Sequence, residues 1–381
     1  MKQIYFDNAA TTKVDERVLK EMAPYFDVRY GNASSVHAKG QEARDAMEKA
    51  RKIISKSINA KTSEIYFTSG GTESNNWALK GLFLENYPGK NHIVTTRIDH
   101  DCVLNTCKWL ETQGAKVTYL DVDWEGFVDL EELEDSITDR TILVSVIHGN
   151  NEIGTIQELE KIGKICREKN VLFHTDACQS YTKTELNAKK MNLDLITLNA
   201  HKIHGPKGVG ALYIREGTKI IPLMHGGGHE RKMRSGTENV SGIVGFGKAV
   251  EVANKKDVEK MTRLRDKLIE GILKIENVRL NGPGNDERLC NNVDVSFNNI
   301  EGEAVGGYLE QRGILTSTGS ACASHSLEQS HVLKAMGLTP VQINSSIRIS
   351  ISKFTTDEEV DYFLEVLPSI VNKLRKLSPL K

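Results

Sequence analysis

Lys202 is the residue in this sequence whose setting most strongly suggests covalent chemistry. It follows His201 and opens a glycine-rich turn between two apolar runs, 193–198 and 210–214, each of which predicts a buried strand. The amine of a lysine can condense with the carbonyl of an aldehyde cofactor. A lone lysine in such a turn is usually a solvated surface charge, so this prediction depends on whether other segments could hold a cofactor.

A candidate anion-binding loop follows the predicted strand 64–68. Gly70 and Gly71 permit close approach of backbone N–H groups to an anion, and the helix that follows adds its dipole. Thr72 and Ser74 could each donate a hydroxyl. No Gly-Lys-Thr/Ser sequence follows, so this is not a nucleotide-binding Walker loop. A Gly-Gly pair is otherwise typical of a tight turn, and the strand–loop–helix order is what favours a phosphate site.

Further polar residues follow the ends of other predicted strands. A cofactor built on a pyridine ring needs an acidic partner for its nitrogen, and Asp176 could supply it. Gln179 and Asn151 could donate hydrogen bonds to a phenolic oxygen, His100 could stack on the ring, and His201 could contact a phosphate. Each residue has an ordinary structural alternative, such as a helix cap for Asp176. Their joint occurrence at successive strand ends favours one site.

The elements that must position these residues alternate between strand and helix. Such alternation predicts an α/β fold with a largely parallel sheet, whose binding residues collect at the carboxyl ends of the strands. Toward the carboxyl terminus, period-two runs predict half-buried strands in a smaller α+β domain. The predicted strands are 64–68, 93–96, 117–119, 142–147, 171–174, 195–198, 210–214, 293–297 and 347–351. The predicted helices are 15–26, 40–58, one from the glycine loop to 84, 102–113, 130–135, 156–169, 240–275 (one helix or two), 302–312, 330–336 and 357–374.

The composition is that of an ordinary globular chain. Its 381 residues favour two domains, 39% are hydrophobic and 27% are charged. The formal net charge of -1 gives no footprint for nucleic acid or an anionic membrane, and no apolar run approaches the ~20 residues of a membrane span. The amino-terminal residues lack the apolar core of a signal peptide. Six cysteines without C-x-x-C spacing argue against a disulfide framework or structural zinc, so we expect a cytoplasmic protein with reduced thiols and no metal.

Four motifs give the sequence a resemblance to a known family. They are Phe-Thr-Ser-Gly-Gly-Thr-Glu-Ser-Asn-Asn from Phe67, Asn-Asn-Glu-Ile-Gly from Asn150, Asp-Ala-Cys-Gln-Ser from Asp176 and His-Lys-Ile-His-Gly-Pro-Lys-Gly from His201. With these motifs, and over nearly its whole length, the chain resembles the pyridoxal-phosphate-dependent cysteine desulfurases of the NifS/IscS type.

The resemblance implies an α/β fold of fold type I, like that of aspartate aminotransferase, in a homodimer. It implies a large domain, 15–255, that binds pyridoxal 5'-phosphate through a mainly parallel sheet. A small α+β domain, formed by 1–14 and 256–381, would carry a catalytic cysteine loop. The substrate would be L-cysteine, and its sulfur would serve iron–sulfur clusters or other thio-cofactors.

The resemblance also implies roles for individual residues. Lys202 would carry the cofactor and remove the α-proton of the substrate, and His100 would be the acid–base for the substrate thiol. Cys322, in a loop of small polar residues, would receive the sulfur as a persulfide, and Asn32 and Arg348 would bind the substrate carboxylate. The residues implied to hold the cofactor are Gly71, Thr72, His100, Asn151, Asp176, Gln179, Asn199, His201, Lys202 and, from the other subunit, Thr237.

Competing hypotheses remain at this point. An aminotransferase or a selenocysteine lyase could use the same fold, but Cys322 and the long form of its loop favour the desulfurase. A non-catalytic sulfur-relay subunit would not need Lys202, Asp176 or His100. Cys178, near the predicted ring site, is a second candidate nucleophile or oxidation site. The sequence leaves open whether the sulfur acceptor is an iron–sulfur scaffold or a tRNA-thiolation enzyme.

Overall fold

A computed structural model describes residues 3–318 and 329–378 of the chain. Strands and helices alternate through most of the first 214 residues, as the sequence predicts. The strands are β1 (Ile4–Tyr5), β2 (Ile65–Thr68), β3 (His92–Thr96), β4 (Lys116–Leu120), β5 (Thr141–Ser145), β6 (Leu172–Asp176), β7 (Leu195–Asn199), β8 (Gly210–Ile214), β9 (Val278–Leu280), β10 (Asn292–Phe297), β11 (Ile314–Leu315) and β12 (Ser346–Ser350). The helices are α1 (Glu16–Met22), α2 (Pro24–Asp27), α3 (Ala38–Ser57), α4 (Gly71–Asn86), α5 (Asp101–Thr112), α6 (Leu130–Ser136), α7 (Leu159–Glu168), α8 (Val240–Val252), α9 (Lys255–Ile272), α10 (Gly302–Glu310), α11 (His331–Ala335), α12 (Pro340–Asn344) and α13 (Asp357–Leu377).

In the described part of the chain, a seven-stranded sheet has the order β2-β8-β7-β6-β5-β3-β4. The pairs from β7 to β4 are parallel, whereas β8 is antiparallel to both of its neighbours. The predicted α/β fold with a largely parallel sheet is therefore confirmed. Because parallel strands point the same way, β3, β5, β6 and β7 end at one edge, where Asp176 and Asn199 are the last residues of β6 and β7.

Apolar side chains cover both faces of this sheet. Alternate residues of β2 point to opposite faces: Phe67 joins a core with α3 and α8, and Tyr66 packs against a second core with α4 and α5. No helix in the described ranges combines the length and the apolar character needed to cross a lipid bilayer.

A third core surrounds a small sheet with the strand order β12-β10-β9. α9 and α13 pack against it, with Phe297 and Phe363 fully buried. The amino-terminal residues join this part of the molecule, because β1 pairs with β11 and Asp7 bridges Ser350 on β12. Residue 7 is thereby carried to the carboxyl-end edge of the large sheet.

The structure corrects three details of the predicted pattern. The helix predicted over 15–26 is two helices, α1 and α2, because Pro24 lacks the N–H that a continuous helix needs. β10 and β12 are buried along their whole lengths, not half-buried, because their polar side chains face other protein groups. The sequence pattern also misses four short elements, which are β1, β9, β11 and α12. The run 240–275 is two helices, α8 and α9, which was one of the two alternatives.

Candidate active site

Lys202 lies in the turn after β7, half-buried at the carboxyl-end edge of the large sheet. Its Nζ donates a hydrogen bond to the carbonyl of Ala9. Burial first, and then the charge of Arg348, lower the pKa of Lys202 to about 8, against the opposing effects of Cys178 and Asp176. The amine therefore has an accessible neutral form, which is the form that attacks a carbonyl.

The carbonyl of Ala9 also accepts a hydrogen bond from Gln179. Gln179 is buried, and its Nε2 lies 2.8 Å from the Ala9 oxygen. Thr12 ties the same amino-terminal segment to the lysine turn, because its Oγ1 donates to the carbonyl of His201 at 2.8 Å. One backbone group thus positions Gln179 and Lys202 together.

Asp176 is buried at the end of β6 with both carboxylate oxygens engaged. Oδ2 accepts from Asn75 Nδ2 at 2.6 Å, and Oδ1 accepts from the backbone N–H of Cys178 at 2.9 Å. Each carboxylate oxygen has two lone pairs, so Asp176 can still accept a further N–H. These two bonds fix the orientation of the carboxylate.

The loop before α4 requires glycine at two positions, for a different reason at each. Gly70 has φ +154°, in the region that side chains disfavour, although a Cβ there would meet no neighbour. Gly71 is limited by space, because a Cβ there would lie 2.7 Å from Cys178 Sγ. The loop therefore packs directly onto the Asp176–Cys178 turn. The first N–H groups of α4 have no acceptor within the helix, so they can bind an anion.

Asn199 ends β7 beside this loop. Its side chain is buried, and its Oδ1 has no hydrogen-bond partner among the described residues. Its Nδ2 lies 3.8 Å from the position that a Cβ on Gly71 would take. An unpaired buried acceptor is costly, and a ligand group that donates an N–H or O–H to Oδ1 would relieve that cost.

His100 precedes α5 and caps it with its own ring. Nδ1 accepts from the backbone N–H of Cys102 at 3.2 Å. In the neutral ring the proton therefore lies on Nε2. Cys102 Sγ lies 3.1 Å from the same Nδ1 and accepts from Asn75 Nδ2 at 3.1 Å. Thr72 also hydrogen-bonds the Cys102 side chain, so the exposed Thr72 and the half-buried His100 are neighbours.

Arg348 enters the site from β12 and is almost fully buried. Its Nη1 donates to the carbonyl of Asn151 at 3.1 Å, and its Nη2 donates to Asp7 Oδ1 at 2.8 Å. Asn151 is itself buried.

His201 adds a neutral ring, because burial lowers its pKa to about 4 and Lys202 contributes in the same direction. Its Nδ1 lies 3.2 Å from Thr11 Oγ1.

Cys322 lies outside the described residues, but the residues on either side of its segment contact the site. Ser317 pairs through its backbone with Arg348 in both directions, at 2.7 and 3.1 Å. After the segment, Ser330 Oγ donates to Glu152 Oε2 at 2.5 Å, and His331 Nε2 donates to the Asp99 carbonyl at 3.0 Å. Both flanks of residues 319–328 are therefore anchored at the edge that carries His100 and Arg348.

Two predicted site residues lie apart from this group in the single chain. Asn32 is exposed, and its Oδ1 accepts from the backbone N–H of Ser34 at 2.8 Å within its own loop. Thr237 is also exposed and shares a cavity of ≈ 170 Å³ with Ser69 and Arg234. Neither has a described contact with Lys202 or Arg348.

The structure adds residues that the sequence reasoning did not assign to the site. Asn75 orients Asp176, Asp7 contacts Arg348, and the Ala9 carbonyl holds Lys202. Asn75 stands inside the glycine-loop motif, which is the only signal that the sequence gives for it. Asp7 and Ala9 belong to a run of small and polar residues, 7–12, which lies outside the four motifs quoted above. Cys102 has no such signal.

The residues present fit pyridoxal phosphate. Asp176 has remaining acceptor capacity for a ring nitrogen, and Lys202 offers an amine with a lowered pKa. The loop of Gly70 and Gly71 offers helix N–H groups to a phosphate, and the amide Nδ2 of Asn199, a further donor, lies beside it. These donor and acceptor types match a phosphate, a pyridine nitrogen and an aldehyde.

Comparison with known proteins agrees with this site. The aminotransferase class-V family matches residues 4–363. The cysteine desulfurase IscS of Clostridium botulinum is 50% identical over 384 aligned residues, covering 100% of this chain and 97% of the relative. A solved NifS-like protein superposes with a TM-score of 0.91 at 43% identity, covering 98% of this chain and 100% of its own. SspA, solved in complex with cysteine, gives a TM-score of 0.84 at 38% identity over 93% of this chain and 100% of its own. The expected resemblance is confirmed: the chain belongs to the aminotransferase class-V family, among its pyridoxal-phosphate-dependent cysteine desulfurases.

Proposed function

We propose that Lys202, His100 and Cys322 carry out the cysteine desulfurase reaction of this chain. L-cysteine becomes L-alanine, and its sulfur passes to Cys322, so that the substrate and one enzyme thiol yield L-alanine and one enzyme persulfide. The observation that carries the proposal is the half-buried Lys202 amine, with its pKa lowered to about 8, held at the strand edge that also bears Asp176 and close enough to Arg348 to feel its charge.

The chain's own residues divide the work between binding and proton transfer. Arg348 binds the substrate carboxylate, since its planar fork matches two oxygens. Lys202 removes the α-proton in its neutral form. His100 moves a proton at Nε2, because Nδ1 is occupied by the N–H of Cys102. Bound pyridoxal phosphate supplies an electron sink at Cα, with Asp176 as the partner of its ring nitrogen.

Cys322 is the proposed nucleophile on the strength of the resemblance. Its thiolate attacks the substrate sulfur, so that a sulfur–sulfur bond forms and the Cβ–sulfur bond breaks. The contacts of Ser317 with Arg348 and of His331 with Asp99 support this role, because they anchor both flanks of its segment at the site. Cys178 is a poor alternative, since burial and Asp176 raise the pKa of its thiol well above the usual range.

The test is sulfide and alanine release from L-cysteine, with reductant, by wild type, Cys322→Ala and Cys178→Ala. We expect equal sulfide and alanine from wild type and from Cys178→Ala. Cys322→Ala should bind cofactor with the wild-type absorbance and fail to turn over. Full activity in Cys322→Ala would reject Cys322 as the nucleophile.

We also propose a homodimer in the cytoplasm, with the large domain at 15–255 and the small domain at 1–14 and 256–381. The separate core around β10 and β12 supports this division. Asn32 and Thr237 would complete the partner's site, which agrees with their exposure here. Phe26, Tyr30 and Val36 are exposed apolar side chains near Asn32 that a second chain would cover. Sedimentation of the holoenzyme at the mass of two chains is the expected result.

The final acceptor of the sulfur is proposed to be a protein, either an iron–sulfur scaffold or a tRNA-thiolation enzyme. A persulfide on Cys322 would pass its outer sulfur to a thiol of that acceptor. Transfer of ³⁵S from labelled L-cysteine to a purified candidate, absent with Cys322→Ala, would identify it.

A further inference from the structure

The guanidinium of Arg348 is already held on one side. Nη2 donates to Asp7 Oδ1 at 2.8 Å, and Nη1 donates to the Asn151 carbonyl at 3.1 Å. Nε is buried and has no hydrogen-bond partner among the residues that the structure describes. A guanidinium offers five donors in a planar fork, and Nε is one donor that none of the described residues accepts from.

Asp7 is itself fixed by backbone pairing with the strand that carries Arg348. Ser350 N donates to Phe6 O at 2.7 Å, and Asn8 N donates to Ser350 O at 3.1 Å. The side chain of Arg348 is 1% exposed, whereas that of Asp7 is 20% exposed. Asp7 is therefore the more exposed member of this ion pair.

We propose that Asp7 is a positioning residue, which holds one side of the Arg348 guanidinium so that its Nε side faces the substrate carboxylate. This inference rests on the proposed function, in which Arg348 binds L-cysteine. A guanidinium that is already oriented loses less conformational freedom when it binds a carboxylate. Asp7 also compensates the buried charge of Arg348 when no substrate is present.

Asp294 provides a matched control. It lies directly opposite Arg348 in the pairing of β10 with β12. Burial raises its pKa to about 7, and its Oδ1 accepts from Asn281 Nδ2 at 2.7 Å. No hydrogen bond or ion pair from Asp294 to the guanidinium is present in the described part of the chain. It is an acid near Arg348 that does not hold the fork.

The test compares L-alanine with ethylamine, which has a similar amine and lacks the carboxylate. Both are titrated into holoenzyme, and their dissociation constants are read from the absorbance of the bound cofactor, with no sulfur turnover. We expect wild type to prefer L-alanine. Asp7→Ala should reduce that preference about ten-fold or more, the effect of one hydrogen bond to a charged group. Asp7→Asn, which keeps the acceptor oxygen, should stay within about threefold of wild type, and Asp294→Asn should match wild type.

An unchanged preference in Asp7→Ala would overturn the inference. So would equal losses in Asp7→Asn and Asp7→Ala, which would assign the effect to charge alone, or a loss of the same size in Asp294→Asn. A wild type that binds both amines equally would instead reject Arg348 as the carboxylate site, and with it this part of the proposed function.

If circular dichroism shows that Asp7→Ala does not fold as holoenzyme, Asp7→Glu takes its place. This variant keeps the charge, and its extra methylene displaces the fork. The same loss of preference is expected, and an unchanged preference again contradicts the inference.

Discussion

Asn75 Nδ2 lies 2.6 Å from Asp176 Oδ2 and donates a hydrogen bond to it. The same nitrogen lies 3.1 Å from Cys102 Sγ, which in turn contacts His100. One buried amide thus joins the acid proposed for the ring nitrogen to the histidine proposed for proton transfer. Loss of this amide should disturb cofactor binding before it disturbs the fold.

Asn75→Ala should weaken the binding of pyridoxal phosphate about ten-fold, because the carboxylate of Asp176 loses a charge-assisted hydrogen bond. The measurement is a titration of cofactor-free protein followed by absorbance. Asn76→Ala is the matched control, since Asn76 donates only to the Thr72 carbonyl on the same helix in the described contacts. Equal losses in the two variants would remove the special role of Asn75.

The capture of pyridoxal phosphate by cofactor-free protein should accelerate as pH rises toward 8 and then level off. Burial lowers the pKa of Lys202 to about 8 from its ordinary 10.5, so the amine is protonated below that pH and neutral above it. Only the neutral amine can attack, so the rate should rise up to about ten-fold per pH unit below the midpoint. Stopped-flow absorbance between pH 6 and 10 measures it, with Lys202→Arg as the unreactive control. A midpoint near 10.5 would contradict the burial of this amine.

Asp99 should make the protein less stable as pH rises from about 4 to about 7. Burial raises its pKa to about 7, so the folded state holds a proton there that the unfolded state has released. The stabilisation that comes from this proton is fully present below pH 4. It is lost as the pH rises through the folded-state pKa, at up to about 1.4 kcal/mol per pH unit. Asp99→Asn should remove this contribution from urea unfolding curves taken between pH 4 and 8. An identical pH dependence in the variant would refute the assignment.

Glu230→Ala should destabilise the fold by about 3–5 kcal/mol, because it removes the buried acidic partner of Arg51 and leaves the half-exposed Glu48 as its remaining described acidic partner. Arg51 donates twice to Glu230 at 2.8 Å, and Glu230 also accepts from the backbone N–H of Phe67. The exposed pair of Lys61 and Glu216 is the control, and Glu216→Ala should leave the denaturant midpoint close to that of wild type, because solvent screens an exposed ion pair. The denaturant midpoints of the two variants measure these effects. Similar losses of stability in both variants would show that the Arg51–Glu230 pair stabilises the fold no more than the exposed pair does.

The sequence identified the residues whose chemistry depends on side-chain type. Lys202 and Asp176 could be found because an amine and an acid followed apolar strands at the edge where parallel strands end. Asn75 stands within a motif but has no role that the sequence predicts. Its amide, on α4, meets Asp176, at the end of β6, only when the chain folds. The Ala9 carbonyl could not be found, since every residue has one.

The sequence predicted helices and strands best where apolar runs were long. It predicted them worst where a strand pairs with another strand that lies far away in the sequence. β1 has two residues, and its partner β11 lies more than 300 positions later, so no local pattern could reveal it. Asn32 and Thr237 are exposed in the single chain, away from Lys202. The resemblance implies that Thr237 acts in the other subunit, and we propose the same for Asn32, so a single chain does not test either role.

During synthesis on the ribosome, β1 is made long before its pairing partner β11. At about 5–20 residues per second, on the order of 15–60 s separate the synthesis of Ile4 from that of its partner Ile314. All strands of the large sheet have been made well before then. The segment from Asp7 to Thr12, which contacts Arg348 and Lys202, therefore reaches its place only after β11 and β12 have been made, so the pocket cannot be completed before then.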